Sequence, residues 1–512
     1  MKGVVAAGHP LTAQAGAQIL EEGGNAFDAA VCAVLASFAA ESPLTGLGAG
    51  GFFLAHVAGG GDHLLDFFVE AGGRGLDPDR RAELVAAEVI FDETPQVFNI
   101  GPASCGVPGT AAGLWEAAHR FGTMRFADLA APAIRYAREG VRVNPEQAYV
   151  FHILEPILRR YPETEELYAP EGRMLTAGDV FRFPALGDAL EAFSREGPDW
   201  LYRGDVAQGI CDWVCEHGGL LSMEDFAAYQ VIERTPVEAS YRGRRVLTNP
   251  PPSSGGILIV LALDLLERWG SPPPLDDPAG LALLAEAMAE AARARGGDFH
   301  QRLREEGFAR EFLGGPHVDE AAARIADRLG STTHISVLDA AGNAASVTCS
   351  NGTGSGVLPP GTGVHLNNML GEEDLNPEGF HMHEPGTRVT SMMAPTVVLR
   401  DSKVELSLGS AGSNRLRSAI LQLIRYVVDY EMDVAQAVRM GRLHYEAGTV
   451  HAEPGFDDAA LDELERRGYS VVRWKGLNLY FGGANAARRD PATGALSGAG
   501  DPRRGGAAVV VE

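Results

Sequence analysis

One ten-residue run constrains this chain more than any other: Gly330-Ser331-Thr332-Thr333-His334-Ile335-Ser336-Val337-Leu338-Asp339. Two threonines open a strand-like run, and two small residues stand just before them. Thr332–Leu338 and Ala345–Ser350 flank Asp339-Ala340-Ala341-Gly342-Asn343, a strong hairpin signal. A chain that must cut itself and expose a new N-terminal threonine has this pattern. Scission before Thr332 would give one residue both a nucleophilic hydroxyl and its own base, the freed α-amine.

The surroundings fit a mixed fold. Pro10 to Glu22 reads as an amphipathic helix, and Asn25 is placed to cap a second, all-round apolar helix from Ala26 to Ala40. Phe52–Val57 and His63–Phe68 read as strands around a glycine-rich turn. Helices dominate from Thr110, a possible cap, to about Leu201. Arg244–Thr248 is a strand, followed by helices from Ile257 to Trp269 and from Leu281 to Ala294. Past Gly330 come a second hairpin (Val397–Leu399 with Val404–Leu408), the helix Leu416–Tyr430, and a terminal strand Ala507–Val511. Gly3 to Pro10 reads only as a lead-in to the first helix. Strands and helices are segregated, which predicts an α+β protein with sheets stacked between helical layers.

Composition narrows the partners. The chain has 512 residues, with 43 Lys and Arg against 68 Asp and Glu, a formal net charge of −25. Such a surface repels phosphate backbones and anionic lipid, so neither nucleic acid nor a membrane is expected as a partner. No leader pattern is visible, and Ala29–Ala40 is too short to span a bilayer, so a cytoplasmic location is expected. The five cysteines are scattered; Cys211 and Cys215 lie one turn apart, but no zinc pattern completes them.

Other motifs have plain explanations. Gly46-Leu47-Gly48-Ala49-Gly50-Gly51 has dinucleotide-loop spacing, but a helix precedes it and a strand follows, the reverse of what that loop requires. It reads as a tight loop where strands approach closely. His381-Met382-His383 lacks a third ligand and reads as a surface loop. His334 shares a strand face with Thr332 and is either a general base or a hydrogen-bonded packing histidine.

What lifts Thr332 above an ordinary strand threonine is its company. Ser350-Asn351-Gly352 returns beside it, Asn367 to Asp374 supplies amides and carboxylates, Thr390-Ser391 adds hydroxyls, and Gly409 to Arg415 leads into a helix whose N–H groups can receive an oxyanion. With Gly23–Ala30, the 46–51 loop, Gly106-Val107-Pro108-Gly109, Pro250–Gly256, Gly482–Ala486 and Asp501-Pro502-Arg503, these segments resemble the γ-glutamyltransferase (glutathione hydrolase) family of N-terminal nucleophile hydrolases nearly end to end.

That resemblance implies a four-layer αββα sandwich with a helix-rich large subunit, residues 1–331, and a small subunit, residues 332–512, sharing one core. It implies cleavage of the Ser331–Thr332 bond, Thr332 as nucleophile with Thr333 following it, and Ser350 in place of a threonine that supports the new amine. Gly412 and Ser413 occupy the oxyanion turn. Asn351, Glu372, Thr390 and Ser391 match substrate-contacting positions. One departure stands out: Asp66-Phe67 is followed by Phe68 where the family has an arginine clamp for the glutamyl α-carboxylate. Losing such a charged hydrogen bond costs roughly 1.5–3 kcal/mol. The segment between Glu372 and Thr390 is short, which predicts a lightly covered pocket. The expected substrate is a small-molecule amide, γ-glutamyl by family default or a glutaryl-like or otherwise substituted acyl as in the cephalosporin-acylase branch, with water or an amine as acceptor. No cofactor or metal is expected.

Overall fold

Alternation along the strands decides the architecture. In the computed structural model, which describes residues 1–91, 94–275, 277–314, 332–412 and 415–512, apolar side chains on successive strand residues face opposite ways into two separate cores. Ile335, Val337, Phe53 and Val347 face helices, whereas Leu338, Phe52, Leu54 and Ala344 face a second sheet.

The first sheet has seven antiparallel strands in the order Ala507–Val511, Gly3–Ala7, Thr333–Asp339, Ala344–Ser350, Gly50–Val57, Gly61–Phe67 and Ile232–Arg234. The second has six: Leu496–Ala499, Gly483–Arg489, Lys403–Ala411, Thr396–Arg400, Arg244–Thr248 and Val237–Tyr241. Helices Pro10–Glu21 and Ala26–Ala40 cover the first sheet, and Gly255–Arg268 and Arg415–Val428 cover the second. The layers are therefore αββα. Both sheets contain strands from both sides of position 332, interleaved in the first and in two adjoining blocks in the second.

The helix Ala26–Ala40 is wholly buried, with Asn25 and Asp28 forming a reciprocal cap at its start. Two expectations need correction. Gly3–Ala7 is a full strand beside Thr333–Asp339, since Val4 and Val5 alternate between the two cores. Thr110 is the first helical residue of Thr110–Phe121, and the cap position belongs to Gly109 with no side-chain bond. Among the described residues no helix is long and apolar enough to cross a membrane. All five cysteines are free thiols.

Candidate active site

Thr332 lies at the end of the central strand, where the register pairing Thr333 with Cys349 sets it opposite Ser350. Its hydroxyl donates to Ser350 Oγ at 3.4 Å, and Ser350 Oγ in turn accepts the Gly352 N–H at 2.8 Å. Thr332 is only 4% exposed and opens into a pocket of about 40 Å³.

The pocket is shared by polar and apolar walls. Phe68, Met369, Leu375, Met392, Met393 and Leu416 form the apolar part, and Thr332, Ser350, Glu372, Asp374 and Ser391 the polar part. Glu372 is buried; desolvation, reinforced by the charge of Asp374, pushes its carboxyl up to about 8. It accepts the Thr353 N–H at 3.3 Å. Gly352, at φ +70°, makes this approach possible: a Cβ there would stand 2.0 Å from Asn368 Oδ1 and 2.9 Å from Glu372 Oε1.

Phe68 lines the pocket that also holds Thr332. Its ring stacks on Phe52 with centroids 5.5 Å apart and planes at 16°. Its N–H donates to Asp66 Oδ1 at 2.9 Å, while its carbonyl accepts from Arg388 Nη1 and Tyr229 Oη. Arg388 is spent on that carbonyl, on Tyr229 and on the Gln230 carbonyl, and Arg234 on Asp66. Among the described residues no arginine or lysine lines the pocket.

Several expected site residues point elsewhere. Asn351 Nδ2 donates to the Pro43 carbonyl at 3.2 Å, outside the pocket, and its neighbour Gly352 takes the pocket wall. The cause is the two-residue period: one step past the strand end turns the side chain to the other face. By the same alternation Thr333 faces the helical layer and donates to Glu41. Thr390 Oγ1 is used on the Leu375 carbonyl at 3.1 Å, leaving Ser391 on the wall. Gly412, at φ +122°, lies against Gly482 and Arg504 rather than in the pocket lining. Ser331 and Ser413 lie outside the described residues.

His334 is a packing histidine. Its ring nitrogens meet Thr348 Oγ1 at 2.8 Å and Ser336 Oγ at 2.9 Å, and burial lowers its pKa to about 3. The 46–51 loop permits close approach as expected, since a Cβ on Gly48 would stand 2.2 Å from the His365 carbonyl oxygen. Among the described residues no group of three His, Cys, Asp or Glu could hold a metal ion.

Two residues escaped the sequence reading. Arg504 Nη1 donates to the Thr332 carbonyl at 2.9 Å, and Glu41 accepts from both Thr333 Oγ1 and Thr12 Oγ1. Glu41 had a signal: it is a buried acid directly after fifteen helical residues of nearly unbroken apolar character.

A model of the gamma-glutamyltranspeptidase family matches residues 12–511. The chain belongs to that family. The glutathione hydrolase proenzyme of Escherichia coli (strain K12) is 31% identical, over 98% of this chain and 90% of its own. The acylase ACY 1 proenzyme of Pseudomonas sp. (strain SE83) is 32% identical, over 100% of this chain and 94% of its own. A crystal structure of cephalosporin acylase from Bacillus halodurans superposes with a TM-score of 0.86 at 26% identity, covering 100% of this chain and 96% of that one. The αββα architecture is therefore the family's, and this member is an enzyme.

Proposed function

We propose that the protein is a self-processing amidohydrolase or acyltransferase with Thr332 as its nucleophile. The observation that carries this is the buried Thr332 hydroxyl facing Ser350 in a pocket it shares with Glu372 and Ser391. In the precursor, Thr332 Oγ1 attacks the Ser331 carbonyl and the peptide C–N bond breaks, leaving an ester on Oγ1 and a free amine. Water opens the ester and releases the carboxylate of Ser331. Residues 1–331 and 332–512 then stay joined, because both sheets are built from strands of each piece.

The freed amine, with an ordinary pKa of about 8, takes the hydroxyl proton as Thr332 attacks a substrate amide, and passes it to the leaving amine. The resemblance assigns the tetrahedral oxyanion to the backbone N–H groups of the turn at 412–413; one such donor is worth roughly 2.7–4 kcal/mol. Water or a second amine resolves the acyl-enzyme. The thiols of all five cysteines are unpaired, which fits a reducing, cytoplasmic setting; fractionation of the native host tests that assignment.

For the acyl group, a second reading has a specific observation behind it. γ-Glutamyl and glutaryl groups both end in a carboxylate, and Phe68 offers it no cation. They differ in the α-amine, and Glu372, uncharged near neutrality, gives that amine no ion pair. A glutaryl-type or plain aliphatic acyl therefore fits better than γ-glutamyl. The likeness to the acylase structure supports the same choice.

A denaturing gel with N-terminal sequencing tests the proposal. Two bands are expected, the smaller starting at threonine, with a single band and at least ~10³-fold less turnover in Thr332→Ala. Full-length protein that still turns over an amide would refute it. In a panel of p-nitroanilides at neutral pH, hexanoyl and glutaryl should exceed γ-glutamyl; turnover of γ-glutamyl alone would reject the acyl assignment.

A further inference from the structure

The larger cavity next to the nucleophile is not the one its hydroxyl enters. About 460 Å³ of space lies among the residues after the Ala26–Ala40 helix, the Pro145–Ile153 helix and the segments at Asn478 and Arg504. It shares no lining residue with the Thr332 pocket. Yet two of its polar residues reach the strand that Thr332 opens. Arg504 holds the Thr332 carbonyl at 2.9 Å, and Glu41 accepts from Thr333 Oγ1.

The charges in this cavity are unequal in use. Arg503 is matched by Glu453 and Asp501, and burial takes His9 down to about 4, leaving it neutral. Burial also pushes the Glu41 carboxyl up. Arg504 has a buried Nε with no hydrogen-bond partner, and Asp501 and Glu41 act on its guanidinium only through their charge, with no direct bond to it among the described residues. Leu44, Tyr149, Val150, Leu477 and Leu479 make the remaining wall mostly apolar, and Leu477 is 44% exposed. A volume of this size with an apolar wall and one under-used cation has the make-up of a small-ligand site. A guanidinium is best satisfied by a carboxylate.

We propose that this cavity binds a small carboxylate with an apolar body, seated on Arg504, and that Thr332 feels its occupancy through the guanidinium they share. Such a ligand has two chemical sources, an acid released from an amide or a free apolar amino acid. The half-buried Glu146 in the lining suits the ammonium of the second.

Calorimetry needs no turnover, so it tests this site even where the amidase assignment fails. The probes are 4-methylpentanoate, L-leucine and neutral 4-methylpentanamide, added to the wild-type protein. One of the two acids should bind about tenfold or more tightly than the amide, the pentanoate marking a released acid and leucine an amino acid. Arg504→Gln should weaken that binding at least about tenfold. Val150→Trp should do the same by filling the cavity without altering the guanidinium, which keeps the test open where Arg504→Gln misfolds. Ser391→Ala, in the wall of the Thr332 pocket, should leave binding in place. In the anilide assay the bound acid should lower kcat with KM unchanged. Equal binding of the amide, no binding of either acid, equal losses in Val150→Trp and Ser391→Ala, or an effect on KM alone would each overturn the proposal.

Discussion

Replacing Glu372 by glutamine turns a buried acid into a neutral side chain of the same shape, and stability should respond to pH differently as a result. Glu372 is 7% exposed, and burial, with the charge of Asp374 adding to it, raises its carboxyl from 4.5 to about 8. The Thr353 N–H, Asn368 and Arg415 offset only part of that. Between those two pH values the folded chain keeps a proton that the unfolded chain releases. The folded state then binds more protons, so stability falls as pH rises. The contribution is complete below about pH 4.5 and lost as pH climbs through about 8. At ~1.36 kcal/mol per pH unit, the gap sets a ceiling of roughly 5 kcal/mol. Urea unfolding followed by tryptophan fluorescence measures it, in a Thr332→Ala background so that one intact chain unfolds. Subtracting the Glu372→Gln result from its parent at about pH 5, 7 and 9 cancels the other titrating groups. The parent should lose several kcal/mol relative to the glutamine variant across that range. A difference that stays flat would refute both the desolvation argument and the neutral carboxyl assumed for the acyl pocket.

Phe68→Arg should raise kcat/KM for glutaryl and γ-glutamyl anilides by about tenfold to a hundredfold relative to the hexanoyl anilide, the worth of one charged hydrogen bond; an unchanged ratio would refute the role given to this wall. Ser350→Ala removes the oxygen 3.4 Å from Thr332 Oγ1 and should slow both scission and turnover by about ten- to a hundredfold, read from band intensities over time and from anilide release. Asp501→Ala strips Arg442, Arg503 and the Ala484 N–H of a shared buried acceptor. It should cost roughly 3–5 kcal/mol of stability in thermal or urea melts, and a loss under about 1 kcal/mol would contradict the assigned burial of that network.

The reach of the sequence reading followed the range of the interactions involved. Local signals were sufficient for the helix at Ala26–Ala40, where Asn25 and Asp28 cap each other three residues apart, and for the hairpin that brings Ser350 back to Thr332 across a short turn. They failed at Gly3–Ala7, because a five-residue run cannot declare itself a strand until its partners, Thr333–Asp339 and Ala507–Val511, are known. Within the site the limit was one residue of register. Asn351 and Gly352 are adjacent, and only the observed pairing tells which of them turns toward Glu372. Phe68 was legible as a missing cation, but not as a ring stacked on Phe52 whose backbone absorbs Arg388 instead. Arg504 marks the far end of this scale. It reaches the Thr332 carbonyl across 172 positions, and no periodicity or spacing near either residue encodes that contact. A chain that makes its nucleophile at an internal position must support that strand from elements distant in sequence, because its near neighbour on one side is the bond to be broken. Of these two contacts of Thr332, Ser350 was legible through its hairpin and Arg504 was not.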